Sequence, residues 1–301
     1  MVSTDASYSF TVTSDKILVA NFIPQGAING KFTISDSGDQ VYFSQGNLQY
    51  QASTETWRFA ENQWDYVGTQ TPDYSGAFGG TIEGSDNGDI SQTYSGWIDL
   101  FGWGTSGWDC GNTYYHPWNS EDGGAYYGPS GYSTLTGSYA NSDWGVYNAI
   151  TNGGNQPNQW RKLNIAEWRY LINTRNTISG IRYVKANVCN INGLILLPDD
   201  WDSSYYSLNC TNQNGSSFSE NIITASQWST IEQHGAVFLP AAGYRNMTNV
   251  IDAGVNGRYW STSFYYANSS QVLGFNEPGL NPGYGSSRSE GLSVRLVRNV
   301  E

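Results

Sequence analysis

Two histidines, three cysteines and a knot of aspartates are the side chains of this 301-residue chain best suited to covalent or metal chemistry. A hydrolytic triad needs a nucleophile, a base and an orienting acid. The imidazoles on offer are His116 and His234, and no Gly-x-Ser-x-Gly run accompanies them. His234 precedes Gly235 at the end of a predicted helix, where a C-terminal cation or cap is the ordinary role. His116 sits in Tyr114-Tyr115-His116-Pro117-Trp118, a setting for packing among aromatics. Cys110, Cys189 and Cys210 form no Cys-x-x-Cys and stand at no zinc spacing from a histidine. Cys189 and Cys210 can bridge, which leaves Cys110 odd; three ordinary thiols fit as well. Asp199, Asp200 and Asp202 around Trp201 offer the two carboxylates a glycosidase needs. Three acids directly after Pro198 also describe a turn in which Asp caps backbone N–H groups. Asp86-Asn87-Gly88-Asp89 begins like a calcium loop, but its twelfth position is Trp97 where an acid is required. We therefore expect no catalytic residue and no cofactor, with a structural calcium elsewhere left open.

The composition points the same way. Acids outnumber bases 26 to 14, a net charge of −12, and only 13% of residues are charged, against roughly 25% in an average globular protein. The chain lacks the basic footprint that nucleic acid requires, and its sign disfavours anionic membranes. The 38% apolar content, 15% aromatic, can bury a core. Tyr (22) and Trp (12) far outnumber Phe (11), and Gly reaches 35. Tyr and Trp carry a polar tip that suits half-buried positions at surfaces. This is the composition of an extracellular, loop-rich, mostly β protein. No apolar run approaches the ~18–20 residues of a membrane helix. Residues 1–9 lack the basic and apolar regions of a signal peptide and read as an initiator Met on a piece of a longer polypeptide.

The elements that must position any site are short. Residues 6–13 and 16–22 are β-rich around Ser14-Asp15, a predicted hairpin, followed by Pro24-Gln25-Gly26 as a linker. Segments 31–35 and 40–44 flank the turn cluster Asp36-Ser37-Gly38-Asp39; segments 47–51 and 56–60 make a second pair. Residues 65–135 show little periodicity, and Trp97, Trp103, Trp108, Tyr114, Tyr115 and Trp118 must pin them. Asn164-x-x-Glu167 and Thr224-x-x-Gln227 are capping boxes, with Leu163/Trp168 and Ile223/Trp228 as staples and Gly235 as a stop. A weaker helix is expected over 142–150. Strands are predicted over 236–241, 258–263, 272–276 and 292–298. In the last, Leu292, Val294 and Leu296 share one face and Ser293, Arg295 and Val297 the other. Few helices beside many short strands predict an α+β domain.

Several of these runs resemble known families. Tyr8-Ser9-Phe10-Thr11-Val12-Thr13 with Leu18-Val19-Ala20-Asn21-Phe22 resembles the last hairpin of divergent internalin-B-type bacterial surface repeats. That resemblance implies a stalk-repeat remnant at 1–23, a linker at 24–29 and a main domain at 30–301. Residues 41–50 (VYFSQGNLQY), 97–107 (WIDLFGWGTSG) and 196–201 (LLPDDW) resemble sequences of gut Bacteroidales surface proteins. Residues 238–245 (FLPAAGYR), 259–263 (YWSTS) and 291–298 (GLSVRLVR) resemble the variable proteins of diversity-generating retroelements. The resemblance covers about residues 30–298. It implies a C-type-lectin-like fold with short twisted antiparallel strands, two or three helices and long irregular loops, in the branch related to formylglycine-generating enzymes. Those enzymes bind copper through paired cysteines near the C-terminus; no cysteine follows Cys210, so that chemistry is not expected here. The calcium motif of sugar-binding lectins is also missing, with Glu277-Pro278-Gly279 and Trp118-Asn119-Ser120 as near misses.

The resemblance further implies a surface whose residues change while a scaffold stays fixed. Changeable positions must then lie outside the core, because core changes cost several kcal/mol each, about 2–5 for a large-to-small change. Between Gly243 and Arg298, anchors recur at Tyr259, Trp260, Ser261, Leu273, Phe275, Leu280, Gly291, Val294 and Leu296. Between them lie Phe264, Tyr265, Tyr266, Asn268, Ser269, Gln271, Gly274, Asn276, Glu277, Tyr284, Ser287, Ser289 and Glu290, a Tyr-, Ser- and Asn-rich set typical of a binding surface. Asn246, Met247, Asn249, Ile251, Asp252 and Asn256 form a second candidate patch; ordinary exposed loops share this composition. The expected function is non-enzymatic ligand display. Its partner is a protein or glycan on a cell surface, met outside the cell or on a phage particle. A non-variable adhesin or carbohydrate-binding module is the alternative.

Overall fold

The computed structural model describes residues 22–67, 93–108, 133–246, 249–266 and 268–301. The predicted stalk hairpin therefore lies almost wholly outside the described residues, as do Cys110, His116, Asp86–Asp89 and Trp118–Ser120. The described architecture is α+β: small, mostly antiparallel sheets with few helices.

Along the chain, β1 (Phe32–Thr33) and β2 (Gln40–Phe43) pair around the predicted turn, where Gly38 takes φ +88°. Next come β3 (Leu48–Gln51), β4 (Thr56–Phe59) and β5 (Trp97–Ile98), with β3 in the middle. Helix α1 (Trp144–Tyr147) is capped by Asp143 and is shorter than expected over 142–150, because Asn148 is extended and Ile150 bridges to Trp57. Helix α2 (Ile165–Arg169) starts at the Asn164/Glu167 capping box and runs on as a π turn, Tyr170–Thr174. Strands β6 (Tyr183–Val188) and β7 (Ile191–Leu196) form a hairpin closed by Cys189 (φ 52°) and Asn190 (φ 69°). Strand β8 (Ile222–Ile223) pairs parallel to β6, and α3 (Ala225–Gln233) follows the Thr224/Gln227 box. Strand β9 (Val237–Pro240) completes the sheet in the order β8-β6-β7-β9.

This sheet is covered on both faces, and period-two alternation sorts its side chains. Leu194, Leu196, Val237 and Leu239 join one core with Phe32, Phe43 and Trp168; Val184, Ile195 and Phe238 join another with Trp228 and Ile231 of α3. A third core gathers Trp57, Trp103, Trp144 and Trp160. Trp103 is buried and its Nε1–H donates to the Ser261 carbonyl at 2.9 Å, one of the pins the sequence asked for. Trp97 carries the Arg58 guanidinium 3.8 Å from its ring centroid.

The C-terminal part holds a hairpin, β10 (Tyr244–Asn246) with β11 (Asn249–Ile251), and a three-stranded sheet. In that sheet β13 (Ser269–Asn276) lies between β12 (Gly257–Tyr266) and β14 (Gly279–Ser287). Strand β14 was not expected. The final strand β15 (Val297–Asn299) pairs with β2.

The predicted strand over 292–298 needs correction. Only its end is a ladder strand, and neither face is open: residues 291–297 are all buried. Leu292, Val294 and Leu296 enter the tryptophan-rich core, while Ser293 and Arg295 are buried on the other side. The segment is threaded between neighbours, with Trp260 N–H donating to Ser293 O (3.1 Å) and Leu48 N–H to Val294 O (2.9 Å). The segment expected to act as a linker, 24–29, is bound to the same framework: Ile28 N–H donates to Phe43 O at 2.9 Å, and Ile28 is buried.

Asp99 lies wholly buried, its Oδ2 accepting the Val67 N–H at 2.6 Å. Burial raises its pKa to about 7, with hydrogen bonding and the Arg245 charge pulling the other way. A folded pKa raised above the unfolded one means that the folded chain holds an extra proton between about pH 4 and pH 7, so this group's stabilisation is lost as pH rises through that window. Asp99→Asn should therefore gain in melting temperature relative to the wild type between about pH 5 and pH 8. Parallel melting-temperature curves would show that Asp99 is ionised throughout.

Candidate ligand-binding surface

The three-stranded sheet is buried and open on both faces, at opposite corners. Alternation on β13 puts Ser270, Val272, Gly274 and Asn276 on one face and Ser269, Gln271, Leu273 and Phe275 on the other. On the first face Val272 is paired with Trp260 and both enter the tryptophan-rich core, while Gly274 and Asn276 are open. On the second face Leu273 and Phe275 are buried with Tyr259, while Ser269 and Gln271 are open.

The candidate residues accordingly separate into two groups. At the first open corner Gly274 lies between Arg258 and Asn281 across the strands, with Asn276 two residues along. A bulge at Gly283 (φ +146°) shifts the register of β14, and Tyr284 leans over Gly274: a Cβ on Gly274 would meet Tyr284 Cβ at 3.4 Å. Asn256 borders this corner, its Nδ2–H donating to Asp252 Oδ2 at 2.5 Å. At the second corner the Tyr265 ring covers Gly285, 3.0 Å from where a Cβ would stand, beside Gln271, Ser269 and Ser287. Tyr265, Tyr266 and Tyr284 are 55, 74 and 45% exposed.

The remaining candidates lie around these corners. Phe264 is half-buried under the Arg288 guanidinium, 5.5 Å away. Asn268 is exposed where β12 turns into β13, and Ser289 Oγ pairs with Ser287 Oγ at 2.9 Å. Asn246 is exposed at the tip of the β10–β11 hairpin, opposite Asn249; Met247 lies outside the described residues, and Ile251 is buried, so it leaves the patch. Glu290 faces inward to Arg258 (3.5 Å) and accepts the Ser286 hydroxyl at 2.6 Å.

Three residues of the first corner were not singled out by the sequence: Arg258, Tyr244 and Asn281. The Arg258 guanidinium lies 3.8 Å from the Tyr244 ring centroid and 5.4 Å from that of Tyr284. Burial raises the Tyr244 hydroxyl pKa. The signal for Asn281 was the two-residue loop Glu277-Pro278 between paired Asn276 and Gly279, a hairpin turn that implies β14.

The turn is fastened from below. Lys185, buried on β6, donates from Nζ to the Asn214 carbonyl and to the Glu277 carbonyl at 2.8 Å. Burial lowers its pKa to about 8. Glu277, exposed, accepts from Ser217 Oγ at 2.5 Å and from Phe218 N–H at 3.4 Å.

Of the residues weighed for catalysis, Asp199, Asp202 and His234 have structural partners. Asp199 accepts from Thr33 N–H (2.8 Å), Thr33 Oγ1 (2.7 Å), Gln40 Nε2 (2.9 Å) and Arg175 Nη1 (2.8 Å). Asp202 accepts the Ser204 N–H at 2.8 Å as a turn cap, and Asp200 is exposed. His234 caps α3 and stacks on Tyr205 with centroids 3.7 Å apart. Cys189 and Cys210 are free thiols. Among the described residues, no three His, Cys, Asp or Glu side chains are grouped to hold a metal, and no helix is long and apolar enough to cross a membrane. Comparison of the chain with family models, curated proteins and solved structures gives no match.

Lys185→Met should lower stability by about 1–3 kcal/mol, by leaving two carbonyls without their donor, and should speed amide exchange over 276–279. Unchanged exchange there would mean that the turn holds itself.

Proposed function

We propose that this chain is a non-enzymatic ligand-display domain of the C-type-lectin-like class, working outside the cell, on a cell surface or on a phage particle. One observation carries the reading: the Tyr- and Asn-rich positions of the C-terminal sheet sit at open corners, while their neighbours in the same strands enter two separate cores. Surface identity is thereby uncoupled from stability, as a diversified binding surface requires. Exposed tyrosines supply contact area at low entropic cost, and asparagine and serine supply adaptable hydrogen bonds. The partner is a protein or glycan on a cell surface.

A non-variable adhesin or carbohydrate-binding module would use the same sheet, and the cleft beside Tyr284 favours it. The two readings part in the genome. A reverse transcriptase gene and a near-copy of the 3′ end that differs at adenines belong beside a diversified gene and not beside an adhesin.

Replacing Tyr265, Tyr266 and Tyr284 together by Ser should move the melting temperature by no more than about 3 °C, as for exposed positions, and should abolish binding to the hits of a protein and glycan array. Separate Tyr284→Ser and Tyr265→Ser/Tyr266→Ser variants assign each hit to a corner. Unfolding of the triple variant, or undiminished binding by it, would refute the reading.

A further inference from the structure

The corner around Gly274 is a cleft of about 210 Å3, smaller than the roughly 300–1,000 Å3 of sites for drug-sized molecules. We infer that it is a subsite for a single neutral sugar ring, a pyranose free or at the end of a glycan. The inference rests on the reading of the C-terminal sheet as a binding surface and names the ligand class of one of its corners.

The walls argue for this chemistry. Gly274 leaves bare backbone as the floor, and Tyr284 stands beside it with its ring half-exposed. Such a ring offers an apolar face that the C–H side of a pyranose can cover, with a hydroxyl at its rim. The side-chain amides of Asn276 and Asn281 find no partner among the described residues. An amide presents donor and acceptor together, which matches the dual character of a sugar hydroxyl. The amide of Asn256 is held in place by Asp252 (2.5 Å).

Charge decides between neutral and ionic ligands. Arg258 lines the cleft, but its guanidinium is already committed to Glu290 (3.5 Å), Ser286 (3.3 Å) and the Tyr244 face. An anion would have to displace Glu290, and a cation would meet Arg258. Of the chain's 14 basic residues, Lys162, Arg175, Lys185, Arg245, Arg288 and Arg295 are buried. The exterior of a chain of net charge −12 is therefore short of cations and repels anions at a distance.

The test uses the full chain with methyl glycosides of glucose, galactose, mannose, fucose, N-acetylglucosamine and N-acetylgalactosamine. Glucuronate and sialate serve as anionic controls, and binding is read by saturation-transfer NMR and calorimetry. Gly274→Val fills the floor; the three atoms nearest a Cβ there all belong to the Tyr284 side chain, at 3.4–3.8 Å, which is ordinary van der Waals contact, so the variant should fold, and its melting curve checks this. At least one neutral glycoside should bind, with Kd raised roughly tenfold or more in Gly274→Val and in Tyr284→Ala. Binding of none of the neutral glycosides, binding of the anionic controls alone, or equal Kd values in Gly274→Val would each overturn the inference. Array hits on proteins that disappear in Gly274→Val while no glycoside binds would replace the sugar with a peptide and leave the display surface standing. Failure of the surface itself would show separately, in the triple tyrosine variant.

Discussion

Two adjacent side chains, Tyr259 and Trp260, hold the C-terminal sheet in place. Consecutive residues of a strand point to opposite faces, and here both faces meet a core. Tyr259 enters the core shared with Phe43 and Trp168, and its hydroxyl donates to the Pro240 carbonyl at 2.9 Å. Trp260 enters the tryptophan-rich core, and its Nε1–H donates to the Phe101 carbonyl at 2.6 Å. Each ring therefore buries its apolar body and satisfies its polar tip. With the middle of β12 clamped from both sides, the ends of the sheet need no further burial to stay in register. The twist of a sheet turns opposite ends toward different surroundings, which leaves diagonal corners open. Gly257 marks how close the clamp is: a Cβ there would stand 2.0 Å from the Phe275 ring.

What the sequence revealed and what it concealed follow from the range of the forces involved. Both capping boxes were legible because donor and acceptor lie within four residues, so Asn164/Glu167 and Thr224/Gln227 announce α2 and α3 by themselves. The β6–β7 hairpin was concealed because its turn places Cys189 in the left-handed region, where Gly, Asn or Asp is the usual signal. Strand β14 was concealed because Pro282 and its glycines are poor strand formers. Its place is set by partners distant in sequence: the ladder with β13, and Arg169 of α2, whose Nε–H donates to the Pro282 carbonyl at 3.0 Å. The candidate surface was legible as a composition but not as a shape. Nothing local in residues 264–290 says that Tyr265 and Tyr284 belong to different corners; that depends on the register with Gly274 and Gly285.

The scarcity of charge takes on meaning once the buried cations are placed. Lys162 lies 4.5 Å from the Trp144 ring centroid and 5.7 Å from that of Trp103; Arg288 lies 5.1 Å from Trp103, and Arg175 5.1 Å from Phe32. Aromatic faces share with carboxylates the task of holding these cations, since a ring attracts a cation without bringing a second charge to desolvate. Arg175 and Lys162 have both kinds of partner: Arg175 a ring and Asp199 at 2.8 Å, and Lys162 its two rings and the charge of buried Asp143. This use of Trp and Tyr accounts for part of the aromatic excess, and the tyrosines left at the open corners account for another.

The separation of the corners constrains what the proposed surface can bind. Gly274 with Tyr284 and Gly285 with Tyr265 lie on opposite faces of a sheet only three strands wide, and β14 is the edge strand common to both. A small molecule seated at one corner is shielded from the other by the sheet itself. A macromolecule that met both would have to pass around an edge of the sheet, and at the β14 edge α2 already contacts the strand through Arg169. The simplest arrangement consistent with these positions is two independent contacts, one a pocket with a glycine floor and one a raised pair of tyrosines. On the proposed reading, changes at one leave the affinity of the other intact, because the residues between them, Val272 and Leu273, are committed to the cores.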